Sequence, residues 1–69
     1  SPIVMDELFD RIIEVARTGI TILMVEQNAR QALEIADKGY VLVQGRNAFT
    51  DTGKALLANP EVRRTFLGG

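Results

Sequence analysis

Apolar residues return at three- and four-residue steps through the first part of the chain, at Met5, Leu8, Phe9, Ile12, Ile13 and Ala16. That period gathers them on one wide face and predicts a helix over Ile3 to Arg17. Ser1 is suited to cap it and Pro2 to fill its first position, while Asp6 and Glu7 lie close to the positive end of the helix dipole. Glu7 and Arg11 have the spacing of an i,i+4 ion pair, and Gly19 closes the helix. From Ile20 to Val25 the helical period disappears. The run is apolar apart from Thr21, then stops at Glu26, Gln27 and Asn28. A near-continuous apolar run marks a strand covered on both faces, as in parallel sheets. Polar groups just beyond the carboxyl end of such a strand are where open α/β sheets place ligands.

Asn28 can cap a second helix, with Gln31 in the capping-box position and Ala29, Ala32, Leu33 and Ala36 along its inner face. Asp37-Lys38-Gly39 reads as a turn. Tyr40 to Val43 and Asn47 to Thr50 read as two strands joined through Gln44-Gly45-Arg46, which predicts a hairpin. Thr52-Gly53 opens a short helix through Leu57, Asn59-Pro60 breaks it, and Pro60 starts a last helical turn whose Val62, Phe66 and Leu67 can dock on the body. Gly68-Gly69 is expected to fray. No internal repeat or linker divides the chain, so residues 1–69 read as a single α/β unit of order α-β-α-β-β-α-α with a small mixed sheet. The broad apolar face of the first helix and the two-sided strand exceed what the other elements can cover. Something else should cover that surface, and self-association is expected.

Composition narrows the chemistry. The chain has 69 residues, and one this short buries only about 60% of the surface its unfolded form exposes. It has no cysteine and no histidine, which removes disulfides, zinc sites and imidazole acid/base catalysis. No metal site is expected within it. A formal charge of −1 with both signs interspersed offers no basic patch for nucleic acid and no polybasic segment for a membrane surface. The longest apolar run falls far short of the roughly 20 residues of a membrane-spanning helix. The chain begins at Ser1 rather than Met, which suggests residues upstream.

Few side chains stand out as chemical candidates. The Gln27 amide could donate to a phosphate oxygen and accept from an attacking water, or it could simply face solvent in a loop. Capping accounts for Asn28. Glu26 is a lone carboxylate with no second ligand near it in sequence. Gly53-Lys54 fails as a phosphate loop, because Ala48 stands at the first glycine position and Ala55 at the hydroxyl position of G-x-x-x-x-G-K-[ST]. Arg63-Arg64 could meet an anion or a partner, but a basic pair near a helix end more simply compensates the dipole. Gly45-Arg46 belongs to the hairpin turn, and Met5 and Met24 read as core residues.

Four segments, in order and across essentially the whole chain, carry a family likeness: S-P at a helix start, T-I-L-M-V-E-Q-N-A, A-L-E-I-A-D-K-G-Y-V-L-V-Q-G-R, and L-L-A-N-P-E-V-R-R-T-F-L-G. Together they resemble the carboxyl-terminal part of an ABC transporter ATP-binding subunit, most closely of the branched-chain amino acid importer type. The resemblance implies a partial P-loop NTPase fold that lacks Walker A, the LSGGQ signature and Walker B. It places Ser1-Pro2 at the end of the D-loop, with Ser1 where the family carries aspartate, which weakens transfer of that residue's contact. It also sets Gln27 at the position of the switch histidine, which contacts the γ-phosphate and the attacking water. An amide cannot take up a proton at neutral pH, so only a positioning role carries over.

The resemblance further implies ATP and Mg2+ as cofactors of the parent protein, and a sister ATPase subunit and transmembrane permeases as its partners. The parent would lie peripherally on the cytoplasmic face of the inner membrane. The 69 residues alone are not expected to bind ATP tightly or to hydrolyse it. The competing reading is a free-standing α/β interaction module that dimerises through its first helix and binds no nucleotide. An enzyme complete within this chain finds no set of nucleophile, base and orienting group.

Overall fold

The computed structural model describes every residue from Ser1 to Gly69. Helix α1 spans Pro2–Arg17, α2 Ala29–Ile35, strand β1 Lys38–Val43, β2 Arg46–Thr52, α3 Gly53–Ala58 and α4 Pro60–Phe66. The two strands pair antiparallel from Lys38 opposite Thr52 to Val43 opposite Arg46, with an irregularity between Val41 and Leu42 that leaves Ala48 without a partner. Gln44 and Gly45 make the turn with φ of 50° and 76°. Positive φ at both positions matches the right-handed twist of the strands they join.

The core forms where α2, the hairpin, α3 and α4 meet. Leu33, Leu56 and Val62 are buried together, and Val41, Phe49, Leu57, Phe66 and Leu67 pack around them. Burying a side chain of this size contributes about 1.5–3 kcal/mol. Phe49 and Phe66 meet edge to face with ring centroids 6.4 Å apart, which fastens α4 to β2. Gly53 allows α3 to start against the end of α2, because a Cβ there would land on the carbonyl oxygens of Leu33 and Ala36. The helix starts follow the sequence. Thr52 Oγ1 accepts from the Ala55 amide at 3.0 Å, and Asn59 Oδ1 accepts from Glu61 and Val62 at 2.9 and 3.2 Å.

The expected strand from Ile20 to Val25 does not form. This stretch has no regular structure and no ladder partner, so the β-α-β crossover and the mixed sheet are absent, and the only sheet is the antiparallel hairpin. An apolar run makes a segment fit to be covered on both faces, but it does not supply the neighbours. Here the other two strands pair with each other. Ile20, Leu23 and Val25 are left exposed.

Smaller expectations change as well. Arg11 pairs forward with Glu14 at 3.2 Å instead of back with Glu7, and both side chains are so open to water that the pair is worth only about 0.3–0.5 kcal/mol. Met5 and Met24, expected in the core, are only half-buried and lie outside the cluster of Leu33, Leu56 and Val62. The tail is held rather than frayed: the Gly69 amide donates to the Arg63 carbonyl at 2.8 Å, while Arg63 Nη2 donates to the Gly69 carbonyl at 3.2 Å.

Helix α1 stands apart from this core. Its one buried residue is Phe9, and Ile3, Val4, Leu8 and Val15 face water. The accessible surface totals 5515 Å2, against about 4,300 Å2 for a folded monomer of this size. No helix is long and apolar enough to cross a membrane.

Candidate functional site

The polar segment Glu26-Gln27-Asn28 leads from the unpaired stretch into α2, and local hydrogen bonds shape it. Asn28 Oδ1 accepts from the Gln31 amide at 3.2 Å, as a cap should. In a capping box the Gln31 side chain would return to the Asn28 amide. Glu26 takes that place instead, its Oε1 accepting from the Asn28 N–H at 2.9 Å. The Gln31 side chain is left to receive Asn28 Nδ2 at 3.3 Å and to donate to Asp6 Oδ1 of α1 at 3.1 Å. Glu26 and Asn28 are thus structural residues of the turn.

Gln27 lies between them in the bend, exposed, with no hydrogen bond from its side chain. Its amide is free to meet a ligand. Ser1 occupies the cap position of α1, and its hydroxyl makes no bond to the helix amides. Its carbonyl accepts from Met5 at 3.0 Å.

A shallow groove of about 410 Å3 runs between α1 and α2, lined by Asp6, Phe9, Asp10, Ile13, Gln31, Glu34 and Ile35. Three of its polar residues are carboxylates, so its field repels a phosphate chain. Neither Gln27 nor Ser1 lines it. No three His, Cys, Asp or Glu side chains converge closely enough to hold a metal ion.

The remaining basic and glycine-rich candidates have structural employment. Arg63 Nη1 donates to the Leu57 carbonyl at 3.2 Å, and Arg30 Nη2 to the Leu67 carbonyl at 3.0 Å. These guanidiniums serve carbonyls at helix ends and in the tail. Gly53 is explained by its contact with α2, and Lys54 follows it on an exposed turn of α3. Sequence reasoning missed the Gln31–Asp6 bond and the part played by Arg30. Both join residues far apart in the chain, and no local pattern reports such a pairing.

The residues here do not by themselves fit ATP with Mg2+. A phosphate cradle needs converging backbone N–H groups and a cation to bridge the phosphates, and neither one exposed amide nor an acidic groove that it does not line provides them.

All 69 residues align at 51% identity with the high-affinity branched-chain amino acid transport ATP-binding protein BraG of Pseudomonas aeruginosa, covering 30% of that protein. A probable branched-chain amino acid transport ATP-binding protein, LivF of Archaeoglobus fulgidus, is 42% identical over 99% of this chain and 29% of its own length. The lipopolysaccharide export system ATP-binding protein LptB of Klebsiella oxytoca is 30% identical over 59 residues, 84% of this chain and 87% of that sequence. No family model and no solved structure matches. The chain thus spans about 30% of the length of BraG and of LivF. Likeness at this level along its whole length shows that the chain belongs to the family of ABC transporter ATP-binding proteins.

Proposed function

We propose that this chain is the carboxyl-terminal part of the ATP-hydrolysing subunit of an importer for branched-chain amino acids or related compounds. The observation that carries the reading is the gradient of identity, 51% and 42% with two branched-chain transport proteins against 30% with the lipopolysaccharide export protein of Klebsiella oxytoca. In the complete subunit these residues form one unit of the nucleotide-binding domain, with a partial P-loop NTPase fold. That subunit sits peripherally on the cytoplasmic membrane face with a sister ATPase and transmembrane permeases.

ATP and Mg2+ supply the reacting phosphoryl group and its charge compensation, and segments outside these 69 residues hold them. Gln27 contributes an uncharged amide on the γ-phosphate side, able to orient water but not to remove its proton. Ser1 lies at the end of the D-loop. Alone, the 69 residues neither bind ATP tightly nor hydrolyse it.

The test is Gln27→Ala in the full-length ATPase. A positioning amide predicts a fall in kcat of about tenfold or more with the KM for ATP nearly unchanged. Wild-type turnover in the mutant would remove Gln27 from the mechanism. Coding DNA upstream of Ser1 tests the broader reading, since it must contain G-x-x-x-x-G-K-[ST] in frame. A start codon at or just before Ser1 would favour a free-standing interaction module, the reading to which the exposed apolar stretch lends support.

A further inference from the structure

Within this chain Gln27 makes no hydrogen bond through its backbone or its side chain, so its direction is set by its neighbours. Glu26 reaches over it. The Glu26 Oε1 that accepts from the Asn28 N–H at 2.9 Å closes a ring that contains the whole Gln27 backbone. Glu26 is half-buried while Val25 and Gln27 on either side are exposed, as befits a side chain folded back on its own turn. Beyond the ring, both polar atoms of the Asn28 side chain go to Gln31: Oδ1 accepts from its N–H at 3.2 Å, and Nδ2 donates to its Oε1 at 3.3 Å. Gln31 Nε2 then ends the chain on Asp6 Oδ1 of α1, 3.1 Å away.

The sense of each bond follows from its ends. Asp6 and Glu26 are carboxylates, which accept. Asp6 therefore takes the nitrogen of the Gln31 amide, which leaves the Gln31 oxygen for Asn28 Nδ2 and the Asn28 oxygen for the Gln31 N–H. With the Asn28 N–H held by Glu26, one arrangement satisfies all four bonds. The bend is closed by a ring on one side and anchored to α1 on the other, through residues 25 apart in the chain.

We propose that Glu26 and Asp6 are positioning residues for the Gln27 amide. Glu26 closes the turn around it, and Asp6, through Gln31 and Asn28, fixes that turn to α1. The proposal rests on the reading of Gln27 as an amide on the γ-phosphate side, and both carboxylates act on the reaction only through it. An amide that orients water loses rate when its aim is loosened, while nucleotide held by other segments stays bound.

The experiment is ATP hydrolysis by the full-length ATPase carrying Gln27→Ala, Glu26→Ala, Glu26→Gln, the double variant Glu26→Ala/Gln27→Ala, Asp6→Ala or Asp6→Asn. Glu26→Ala should lower kcat about fivefold or more, no further than Gln27→Ala does, with the KM for ATP nearly unchanged. Glu26→Gln keeps an oxygen that can accept from the Asn28 N–H and should restore most of the turnover. The double variant should be no slower than Gln27→Ala alone, because nothing remains to be aimed. Asp6→Ala should lower kcat about twofold or more, and Asp6→Asn, which keeps an acceptor, should recover it. Wild-type turnover in Glu26→Ala or Asp6→Ala beside a slow Gln27→Ala overturns the positioning and leaves the role of Gln27 standing. Glu26→Gln as slow as Glu26→Ala also overturns it, since the carboxylate charge would then act directly. Wild-type turnover in Gln27→Ala removes the reading and the proposal together.

Discussion

Gln31 Nε2 donates to Asp6 Oδ1 at 3.1 Å, a bond between residues 25 apart in the chain that joins α1 to α2. Besides this bond, α1 rests on the body through Phe9, which is 4% exposed, with Met5, Ile12 and Ile13 half-buried on the same helix. The long first helix is thus tethered to the fold without being enclosed by it. Stability should be uneven as a result, with α1 opening before the hairpin and its helices.

Gln31→Ala should cost about 1 kcal/mol, and Phe9→Ala about 3 kcal/mol, in the free energy that holds α1 down. Hydrogen exchange separates this from global unfolding. Amides of α1 should exchange faster in both variants while those of β1 and β2 keep their protection; equal loss in the hairpin would show that α1 is part of the cooperative core.

Gly53→Ala places a methyl group against the carbonyl oxygens of Leu33 and Ala36, which are backbone and can yield only if α2 and α3 separate. A loss of about 1–3 kcal/mol is expected despite the better helix propensity of alanine. The urea midpoint measures it. A gain in stability would mean that α3 does not start against α2.

Leu56→Ala and Leu23→Ala are the same chemical change at residues 1% and 90% exposed. The first should cost about 2–5 kcal/mol, enough to unfold much of a chain this small, and the second should leave folding within about 0.5 kcal/mol. Denaturation of dilute, monomeric samples compares them without interference from association. Similar losses would place Leu23 in a packed interior.

Gln44 holds φ at 50° in the hairpin turn, a conformation glycine and asparagine adopt more readily. Gln44→Gly should therefore raise stability by about 0.5–1 kcal/mol, less the entropy glycine adds to the unfolded chain. A rise in thermal midpoint checks it. No change would indicate that the turn relaxes in solution.

Much of the local structure was legible in the residues themselves. Asn28, Thr52 and Asn59 mark helix starts because a capping side chain bonds an amide two or three residues away, and Ser1-Pro2 marks one because the ring of Pro2 fixes a helical φ. The hairpin could be read from two β-rich runs and a glycine turn for the same reason, since its ladder grows outward from neighbours in sequence. The family likeness carried by E-Q-N-A and the segments after it reached the nucleotide-binding reading of Gln27, which no geometry within these residues would have suggested.

The sequence by itself determined which segments become helices, where the hairpin turns, and that Ile20 to Val25 is suited to burial on both faces. Tertiary structure decided what no local rule contains: that this apolar run finds no ladder partner, and that the Gln31 side chain reaches Asp6 of α1. Caps and turns depend on atoms a few residues apart, whose positions a short stretch of backbone sets. Strand pairing and side-chain partnership depend on which distant surfaces are present to compete, and a sheet segment without neighbours remains open however well its residues are suited to one.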